Sequence, residues 1–275
     1  MNKQHLNLFD LSGKVAVVTG AAGLLGREHC LALSNAGAHV IATDANMSGC
    51  EKMVDDLHGL GTESLEPLEM DITNRSSIES AAAQILASHD RIDILVNNAA
   101  VNDAIEHSLK KEYPGFETFG LEAWNGSLEV NITGVFLCCQ VFGGEMAKRG
   151  RGSIINIAST YGLVAPDQSL YRRPDGTQEF YKGPAYPATK GAVLSLTRYL
   201  ASYWGNKSVR VNALSPGGVE NGQERHFIDE YSRRTPLGRM ARPSEYRGAL
   251  VFLASDAASY VTGTNLIVDG GWTIW

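Results

Sequence analysis

Short apolar runs rich in β-branched residues alternate along the chain with longer segments whose apolar residues recur at helical spacing. The runs predict seven strands, at 14–19, 39–43, 64–70, 92–97, 153–158, 209–214 and 265–270. The helical segments lie near 25–36, 47–58, 75–88, 122–149, 185–203 and 243–254. Such alternation indicates βαβ units and a parallel sheet covered on both faces. We therefore expect a doubly wound, three-layer α/β/α fold of the Rossmann type, with ligands at the carboxyl ends of the strands.

Composition narrows the class of protein. The chain has 275 residues, of which 44% are hydrophobic and 20% charged, so we expect one domain with a large core, spanning residues 1–275. A net charge of −6 argues against a nucleic-acid partner. No apolar run resembles a signal peptide or reaches the length of a membrane span, which favours a cytoplasmic protein. The four cysteines fit no metal-ligand spacing, so we expect a reduced compartment and no metal.

The first predicted strand ends in a glycine loop, GAAGLLG (20–26), that opens a helix. Gly20 allows a tight turn, and Gly23 and Gly26 let the backbone approach a pyrophosphate and let the helix pack on the sheet. The helix N-terminus offers unpaired N–H groups and a positive dipole end to phosphate. The loop therefore predicts a dinucleotide site.

An acid, Asp44, stands at the end of the second predicted strand. A carboxylate there accepts the ribose hydroxyls of NAD and repels the 2′-phosphate of NADP. No lysine or arginine lies in the glycine loop or at 45–47, although Arg27 follows the loop closely. We expect NAD as cofactor; the alternative is that Asp44 only caps the next helix.

Further motifs follow in order: Asp71-Ile72, NNAA (97–100), Asn131 in EVNITGVF, Ser159 in INIAST, Tyr186 and Lys190 in YPATK, PGGV (216–219), PLGRM (236–240) and TGTNLIVDGGW (262–272). With these motifs the chain resembles the short-chain dehydrogenase/reductase family over nearly its whole length. The resemblance implies a cofactor site formed by Gly20, Gly23, Leu25, Gly26, Asp44, Asp71, Ile72, Asn98, Tyr186, Lys190, Pro216 and Val219.

The resemblance also implies a catalytic set of Asn131, Ser159, Tyr186 and Lys190. In the family's mechanism, Tyr186 would exchange a proton with the substrate while Lys190 lowers the tyrosine pKa and holds the nicotinamide ribose. Ser159 would hydrogen-bond the substrate oxygen, and Asn131 would position a water of the proton relay. Local roles are the alternatives for two of them: Ser159 capping a turn, and Asn131 bonding within its own helix.

A second Tyr-x-x-x-Lys occurs at YWGNK (203–207). Residues i and i+4 share a face only within a helix, and Pro187 places the start of a helix beside Tyr186. Gly205 and Asn206 instead indicate that this helix has ended, which separates Lys207 from Tyr203. The chemistry is therefore predicted at YPATK, where the tyrosine pKa must fall about three units from ~10.

Two features depart from the family's pattern. Leu24 with Gly23 gives the glycine spacing of the extended, epimerase-like branch, but the length given leaves no separate substrate domain, so we expect the short single-domain branch. Asn221 also stands where the nicotinamide loop often has threonine.

Two inserted loops, near 101–120 and 161–183, and a predicted lid near 219–235 follow strands on the ligand side and should shape the substrate pocket. They carry basic residues: Lys110, Lys111, Arg172, Arg173, Lys182, Arg225, His226, Arg233 and Arg234. These cations favour a polar or anionic substrate such as a sugar derivative. Because acids are interleaved, a solvated charged rim is the alternative.

Together these features predict an NAD-dependent oxidoreductase that interconverts a secondary alcohol and a ketone of a small molecule. Two alternatives are a non-catalytic NAD-binding sensor or scaffold, and an epimerase-like enzyme with tightly bound NAD. The resemblance further implies a homotetramer built through the two long helices and the C-terminal strand. The apolar segment 135–146 suits such a helix.

Overall fold

The computed structural model describes residues 8–62, 64–102, 115–178 and 180–275. The strands are β1 Val15–Thr19, β2 His39–Asp44, β3 Leu65–Glu69, β4 Ile94–Asn97, β5 Gly152–Ile157, β6 Val209–Pro216 and β7 Asn265–Val268. The helices are α1 Leu24–Asn35, α2 Met47–His58, α3 Arg75–His89, α4 Leu121–Arg149, α5 Ala185–Trp204, α6 Arg225–Arg234 and α7 Arg247–Ala254. Residues 103–114 of the predicted first insert, including Lys110 and Lys111, lie outside the described residues.

All seven strands pair in parallel in one sheet of order β3-β2-β1-β4-β5-β6-β7. The chain winds outward from β1 to β3, then crosses back to place β4 on the other side of β1. This reversal makes the sheet doubly wound, as the sequence predicted, and opens a crevice beyond the carboxyl ends of β1 and β4.

The sheet is buried on both faces, which explains why its strands are continuously apolar rather than alternating. In β1, Val15 and Val17 belong to a core that α3, α4 and α5 cover. Ala16 and Val18 point the other way, into a core shared with α1, α2 and α7. Successive side chains of one strand thus fill two separate cores.

Asparagines begin two of the helices that follow strands. The Asn46 side chain accepts a hydrogen bond from the Gly49 N–H and caps α2, and Asn74 caps α3 in the same way. The capping role considered for Asp44 therefore belongs to Asn46. The carboxylate of Asp44 remains at the end of β2, at the mouth of the crevice.

One helix, α6, was not among the predicted helical segments. Half of its sequence, RHFIDEYSRR, is charged, and Tyr231 is its one buried residue. With so few apolar positions, the helical period is too weak to recognise without the surface on which the helix packs. The predicted segment 243–254 is a short 3-10 turn, Pro243–Tyr246, followed by α7.

Within the described residues, α4 is long and apolar enough to cross a membrane by length and composition alone. In the fold it packs on the sheet and against α5, and 44% of its most apolar window is buried. The contact is close at Gly143, where an added Cβ would lie 2.5 Å from Cη2 of Trp204. The contacts of α4 with the sheet and α5 therefore explain its apolar composition as that of a core helix.

This contact gives a prediction for two adjacent glycines of α4. We expect Gly143→Ala to lower the free energy of unfolding by about 1–3 kcal/mol, because the new methyl group would overlap Trp204 and Ile154. Gly144→Ala is the matched control, since no atom lies within 4 Å of its added Cβ. Alanine there should be neutral or stabilise by up to about 1 kcal/mol. Urea unfolding of both variants measures the difference; equal stabilities would contradict the packing described.

Candidate active site

A cleft of about 1760 Å³ lies beyond the carboxyl ends of the strands. Nearly all of the predicted site residues line it: Gly20, Gly23, Leu25, Asp44, Asp71, Ile72, Asn98, Ser159, Tyr186, Lys190, Pro216 and Val219. Gly26 and Asn131 do not line the cleft but pack directly behind its wall. Six strand ends and the start of α5 thus bring together residues from most of the chain.

The glycine loop forms a backbone cradle at one end of the cleft. Gly20 has φ +63, and a Cβ there would lie 2.7 Å from Cα of Ala99. A Cβ at Gly26 would lie 2.1 Å from the carbonyl oxygen of Gly20, so α1 can pack this closely only with glycine. Gly23 precedes α1 without a side-chain cap, which leaves the first N–H groups of the helix available. The cradle fits the pyrophosphate of a dinucleotide, and the half-exposed Leu24 stands at its edge.

Asp44 is held by two backbone N–H groups at the end of β2. Its Oδ2 accepts from the Ala22 N–H at 3.1 Å, and its Oδ1 accepts from the Asn46 N–H at 2.9 Å. The first bond ties the acid to the glycine loop. A ribose attached to a phosphate in the cradle would therefore meet this carboxylate.

The middle of the cleft is formed by the ends of β3 and β4. Asn98 donates from Nδ2 to the carbonyl oxygens of Thr19 and Gly20, at 3.0 Å each, and so fixes the loop after β4 against the glycine loop. After β3, Asp71 accepts from the Thr73 N–H at 2.8 Å and Ile72 is buried. Asp71 and Ile72 both line this part of the cleft.

The loop after β6 closes the other end. Pro216 ends β6, and a Cβ at Gly217 would lie 2.7 Å from Cα of Asp269, which keeps this turn close to the strand β7. Val219 forms an isolated parallel bridge with Ala241. The loop therefore reaches the cleft with a backbone set by neighbouring segments.

Ser159, Tyr186 and Lys190 meet at the centre of the cleft. Ser159 follows β5, and its Oγ accepts from the Tyr161 N–H at 3.1 Å, which orients the hydroxyl. Tyr186 and Lys190 lie one turn apart at the start of α5, with the Lys190 Nζ 5.6 Å from the centroid of the Tyr186 ring. The arrangement combines an acid–base group, a cation and a hydroxyl donor.

Lys190 is buried, and its Nζ donates to the carbonyl oxygen of Ile157 at 2.7 Å. Burial of the ammonium lowers the pKa of Lys190 from 10.5 to about 8. The charged form is therefore stabilised by one carbonyl but not by water. An anion beside Nζ, such as a tyrosinate, would compensate for this lost hydration.

Asn131 uses its side chain to join three segments. Its Oδ1 accepts from the Val101 N–H at 2.8 Å, and its Nδ2 donates to the Val101 carbonyl at 2.9 Å and to Thr189 Oγ1 at 3.2 Å. Thr189 in turn donates to the carbonyl of Tyr186. Asn131 lies in a π-helical turn, Glu129–Gly134, within α4. The amide thus positions both the loop after β4 and the start of α5.

Sequence reasoning named Lys182 only as a rim cation, yet the structure buries it beside the tyrosine. Its Nζ lies 4.7 Å from the centroid of the Tyr186 ring and contacts Asn102 Oδ1. Tyr161, which the sequence analysis did not name, also lines the cleft, and burial is the main cause that raises its pKa. The sequence spacing could not show the position of Lys182, because this residue lies before the start of α5 and shares no helical face with Tyr186.

Four of the other predicted rim cations in the described part of the chain form ion pairs. The ion pairs are Arg225 with Asp229, Arg233 with Glu230, Arg234 with Asp167 and His226 with Glu224. Arg172 and Arg173 are exposed. These residues therefore agree with the alternative of a solvated charged rim. Lys182 differs from them because it is buried.

The rival YWGNK motif does not reach the cleft. As predicted, α5 ends at Trp204, and Gly205–Lys207 forms a separate 3-10 turn. Tyr203 and Lys207 are both exposed. The two tyrosine motifs therefore lie at opposite ends of the same helix.

A doubly wound sheet with a glycine cradle, an acid at the end of β2 and a Ser-Tyr-Lys cluster defines a nucleotide-dependent oxidoreductase. A family model described as enoyl-(acyl carrier protein) reductase matches residues 20–273. The chain belongs to the short-chain dehydrogenase/reductase family and is an oxidoreductase. Dehydrogenases of this family use nicotinamide cofactors.

The chain is similar to proteins with established names. It is 36% identical over 271 residues to the D-threitol dehydrogenase of Mycolicibacterium smegmatis, covering 97% of this chain and 95% of the relative. It is 35% identical to the NAD-dependent glycerol dehydrogenase of Listeria innocua, covering 97% and 96%. A gluconate 5-dehydrogenase from Burkholderia cenocepacia, crystallised with NADP and tartrate, superimposes with a TM-score of 0.84 at 30% identity, covering 98% of each chain.

The buried Lys190 predicts a dependence of stability on pH in the cofactor-free protein. The folded-state pKa of about 8 lies below the ordinary 10.5, so the unfolded chain binds the proton more tightly. Below pH 8 the Lys190 ammonium is charged in both the folded and the unfolded chain, and burying this charge destabilises the fold. As pH rises from about 8 to 10.5, the folded protein loses the proton and this destabilisation disappears. We expect the free energy of unfolding to rise by about 3 kcal/mol over that window relative to Lys190→Met.

The measurement is chemical unfolding of wild type and Lys190→Met at intervals across this range, plotted as a difference. Lys207→Met is the control, because Lys207 is an exposed lysine just beyond the same helix. Its difference curve should be flat. A flat curve for Lys190→Met as well would refute the lowered lysine pKa.

Proposed function

We propose that the protein is an NAD-dependent dehydrogenase that interconverts a secondary alcohol and a ketone of a sugar derivative, either a polyol or a sugar acid. The observation that carries this proposal is the position of Tyr186 in the cleft that Ser159 also lines, with the ammonium groups of Lys182 and Lys190 4.7 and 5.6 Å from its ring centroid. The names of the relatives, which act on threitol, glycerol and gluconate, support the substrate class.

The proposed roles follow from the contacts. When bound, the nicotinamide supplies the acceptor or donor of hydride. Tyr186, as the tyrosinate, takes the proton of the substrate hydroxyl, and the ammonium of Lys190 stabilises that anion. Ser159 Oγ, already oriented by the Tyr161 N–H, donates to the substrate oxygen. Asn131 acts as a positioning residue through Val101 and Thr189, and we retain the water relay as part of the proposal.

Two contacts support NAD rather than NADP. The carboxylate of Asp44 is anchored to the glycine loop through Ala22, where the adenosine ribose would lie. A 2′-phosphate there would be repelled. Arg27 is the first basic residue after the glycine loop. Its Nη1 lies 3.6 Å from Glu28 Oε1, and the residue does not line the cleft.

Lys182 supports a substrate that carries negative charge or many hydroxyl groups. It is a nearly fully buried cation on the wall of the cleft, beside the ring of the proposed base. A substrate whose reacting hydroxyl contacts Tyr186 would lie within a few ångströms of this ammonium. Long apolar substrates would offer no polar group to this ammonium, so they fit the cleft less well.

We further propose a cytoplasmic homotetramer. Tyr199 and Tyr203 are 63% and 62% exposed and stack in parallel on the outer face of α5, with ring centroids 6.0 Å apart. Such an aromatic pair is typical of surfaces covered by another subunit. Sedimentation analysis tests this; a single 29.7 kDa species would contradict it.

The choice between NAD and NADP gives a testable prediction for Asp44. Replacing Asp44 by Asn keeps an acceptor for the backbone but removes the negative charge. We expect the ratio of kcat/KM for NADP to that for NAD to rise about tenfold or more, because charge repulsion of this kind is strong at a binding site. Asp71→Asn is the control: it lies at the neighbouring strand end and should affect both cofactors equally. An unchanged ratio in Asp44→Asn would argue against the proposed role of this acid.

The function is tested by NADH formation with a panel of polyols, aldonic acids, hexoses and long-chain alcohols, with NADP run in parallel. We expect oxidation of a polyol or an aldonic acid, and a fall in kcat of about 10²–10⁴ in Tyr186→Phe without loss of NAD binding. Tyr203→Phe, the tyrosine of the rival motif, should retain full activity. If no compound of the panel is oxidised although NAD still binds, the result would favour a non-catalytic NAD-binding sensor or scaffold. Cofactor that remains bound through purification would favour the epimerase-like reading.

The same panel separates polyols from sugar acids. In Lys182→Met, loss of the cation should raise KM for aldonic acids far more than KM for uncharged polyols of equal length. Lys148→Met is the matched control, because Lys148 is an exposed lysine on α4. An equal effect on both substrate types would limit Lys182 to a structural role.

A further inference from the structure

Two histidines and a glutamate meet at the end of the sheet opposite the cleft. His39 begins β2, Glu66 is the second residue of β3 and His89 ends α3. The cleft lies at the carboxyl ends of the strands, whereas this cluster lies at their amino ends. It has no part in the oxidoreductase chemistry and does not depend on the proposed function.

The register of the sheet explains why these distant residues meet. Glu66 pairs with Ile41 across the parallel strands, and His39 precedes Ile41 by two residues, so all three side chains point to one face. That face is covered by α3, whose Ile78 and Ile85 pack in the same core as Ile41. The last turn of α3 then brings His89 over the corner formed by the other two.

The ligand atoms are close to one another. Glu66 Oε1 lies 3.2 Å from His39 Nε2 and 2.8 Å from His89 Nε2. All three atoms lie within 4.8 Å of one another. A tetrahedral zinc ion with bonds of 2.0–2.2 Å requires ligand atoms about 3.3 Å apart. Small rotations of the side chains would satisfy this geometry.

The cluster is not satisfied by hydrogen bonds alone. His39 Nε2 is shielded from water and has no aligned hydrogen bond, despite its short distance to Glu66. Glu66 Oε1 hydrogen-bonds His89 Nε2 at 2.8 Å, and His39 Nε2 approaches the same oxygen to 3.2 Å. A carboxylate and two imidazole nitrogens therefore converge, and the C-terminus of α3 adds a negative dipole end. A cation would use all of these groups at once.

We propose that His39, Glu66 and His89 bind a divalent first-row transition metal of the zinc class. Two imidazoles and one carboxylate suit zinc, nickel and copper, whereas magnesium and calcium prefer sites made of oxygen ligands. The three side chains remain 34%, 47% and 20% exposed, in the same order, which leaves a fourth position for water. The ion joins β2, the edge strand β3 and the end of α3, so its role is to stabilise this edge of the sheet.

The test uses untagged full-length protein treated with a chelator. Isothermal titration with zinc chloride should give one site per chain, and zinc should raise the unfolding temperature. Magnesium chloride should do neither. X-ray absorption of the zinc-loaded protein should show two imidazole ligands. Absence of zinc binding in the titration would overturn the proposal.

Variants locate the site. His39→Gln and His89→Gln should each weaken zinc binding at least about tenfold, the smallest loss expected even for an outer partner of a metal. They should also abolish the zinc-dependent rise in unfolding temperature, whatever their stability without metal. His58→Gln is the control, because His58 bonds the carbonyl of Leu65 beside the cluster without belonging to it. Wild-type zinc affinity in both His39→Gln and His89→Gln would also overturn the proposal.

Discussion

The cleft depends on one junction, between the carboxyl ends of β1 and β4. Thr19 Oγ1 accepts from the N–H groups of Asn98 and Ala99 at 3.0 Å each, while Asn98 Nδ2 donates back to the carbonyls of Thr19 and Gly20. These bonds stand where the strand order reverses, so they hold the two halves of the sheet together. They also press Gly20 against Ala99, which sets the glycine cradle and the floor of the cleft. This junction therefore positions the glycine loop and the loop after β4, both of which line the cleft.

A second set of polar contacts fixes α5 relative to the sheet. Inside the core, Asn97 Nδ2 donates to Asn156 Oδ1 at 2.8 Å, and Asn156 Nδ2 donates to Thr197 Oγ1 at 2.9 Å, which links β4, β5 and α5. Toward the cleft, the same helix is held by Lys190 at the end of β5 and by Thr189 through Asn131. Because apolar packing is not directional, these bonds determine which face of α5 presents Tyr186.

The substrate end is built differently from the cofactor end. In place of strand ends, it uses the second inserted loop and α6, joined by the ion pair of Arg234 with Asp167 and by the contact of Tyr171 with Phe227. Tyr231 of α6 stacks on Trp272 at 4.1 Å and bonds the Gly218 N–H. The proposed cofactor end thus rests on the strand ends, while the proposed substrate end rests on a loop and a helix outside the sheet.

The sequence by itself determined the layered fold and the strand bounds to within two residues, because these depend on local periods. Its glycines also marked the loop that lines one end of the cleft. It missed α6, whose few apolar residues gain meaning only against Trp272. It placed Lys182 on the rim, since burial of a cation cannot be read from a charge pattern. It also gave no hint of the cluster of His39, Glu66 and His89. The register between β2 and β3 and the last turn of α3 bring these three residues together. Such contacts between residues distant in sequence exist only after the chain has folded.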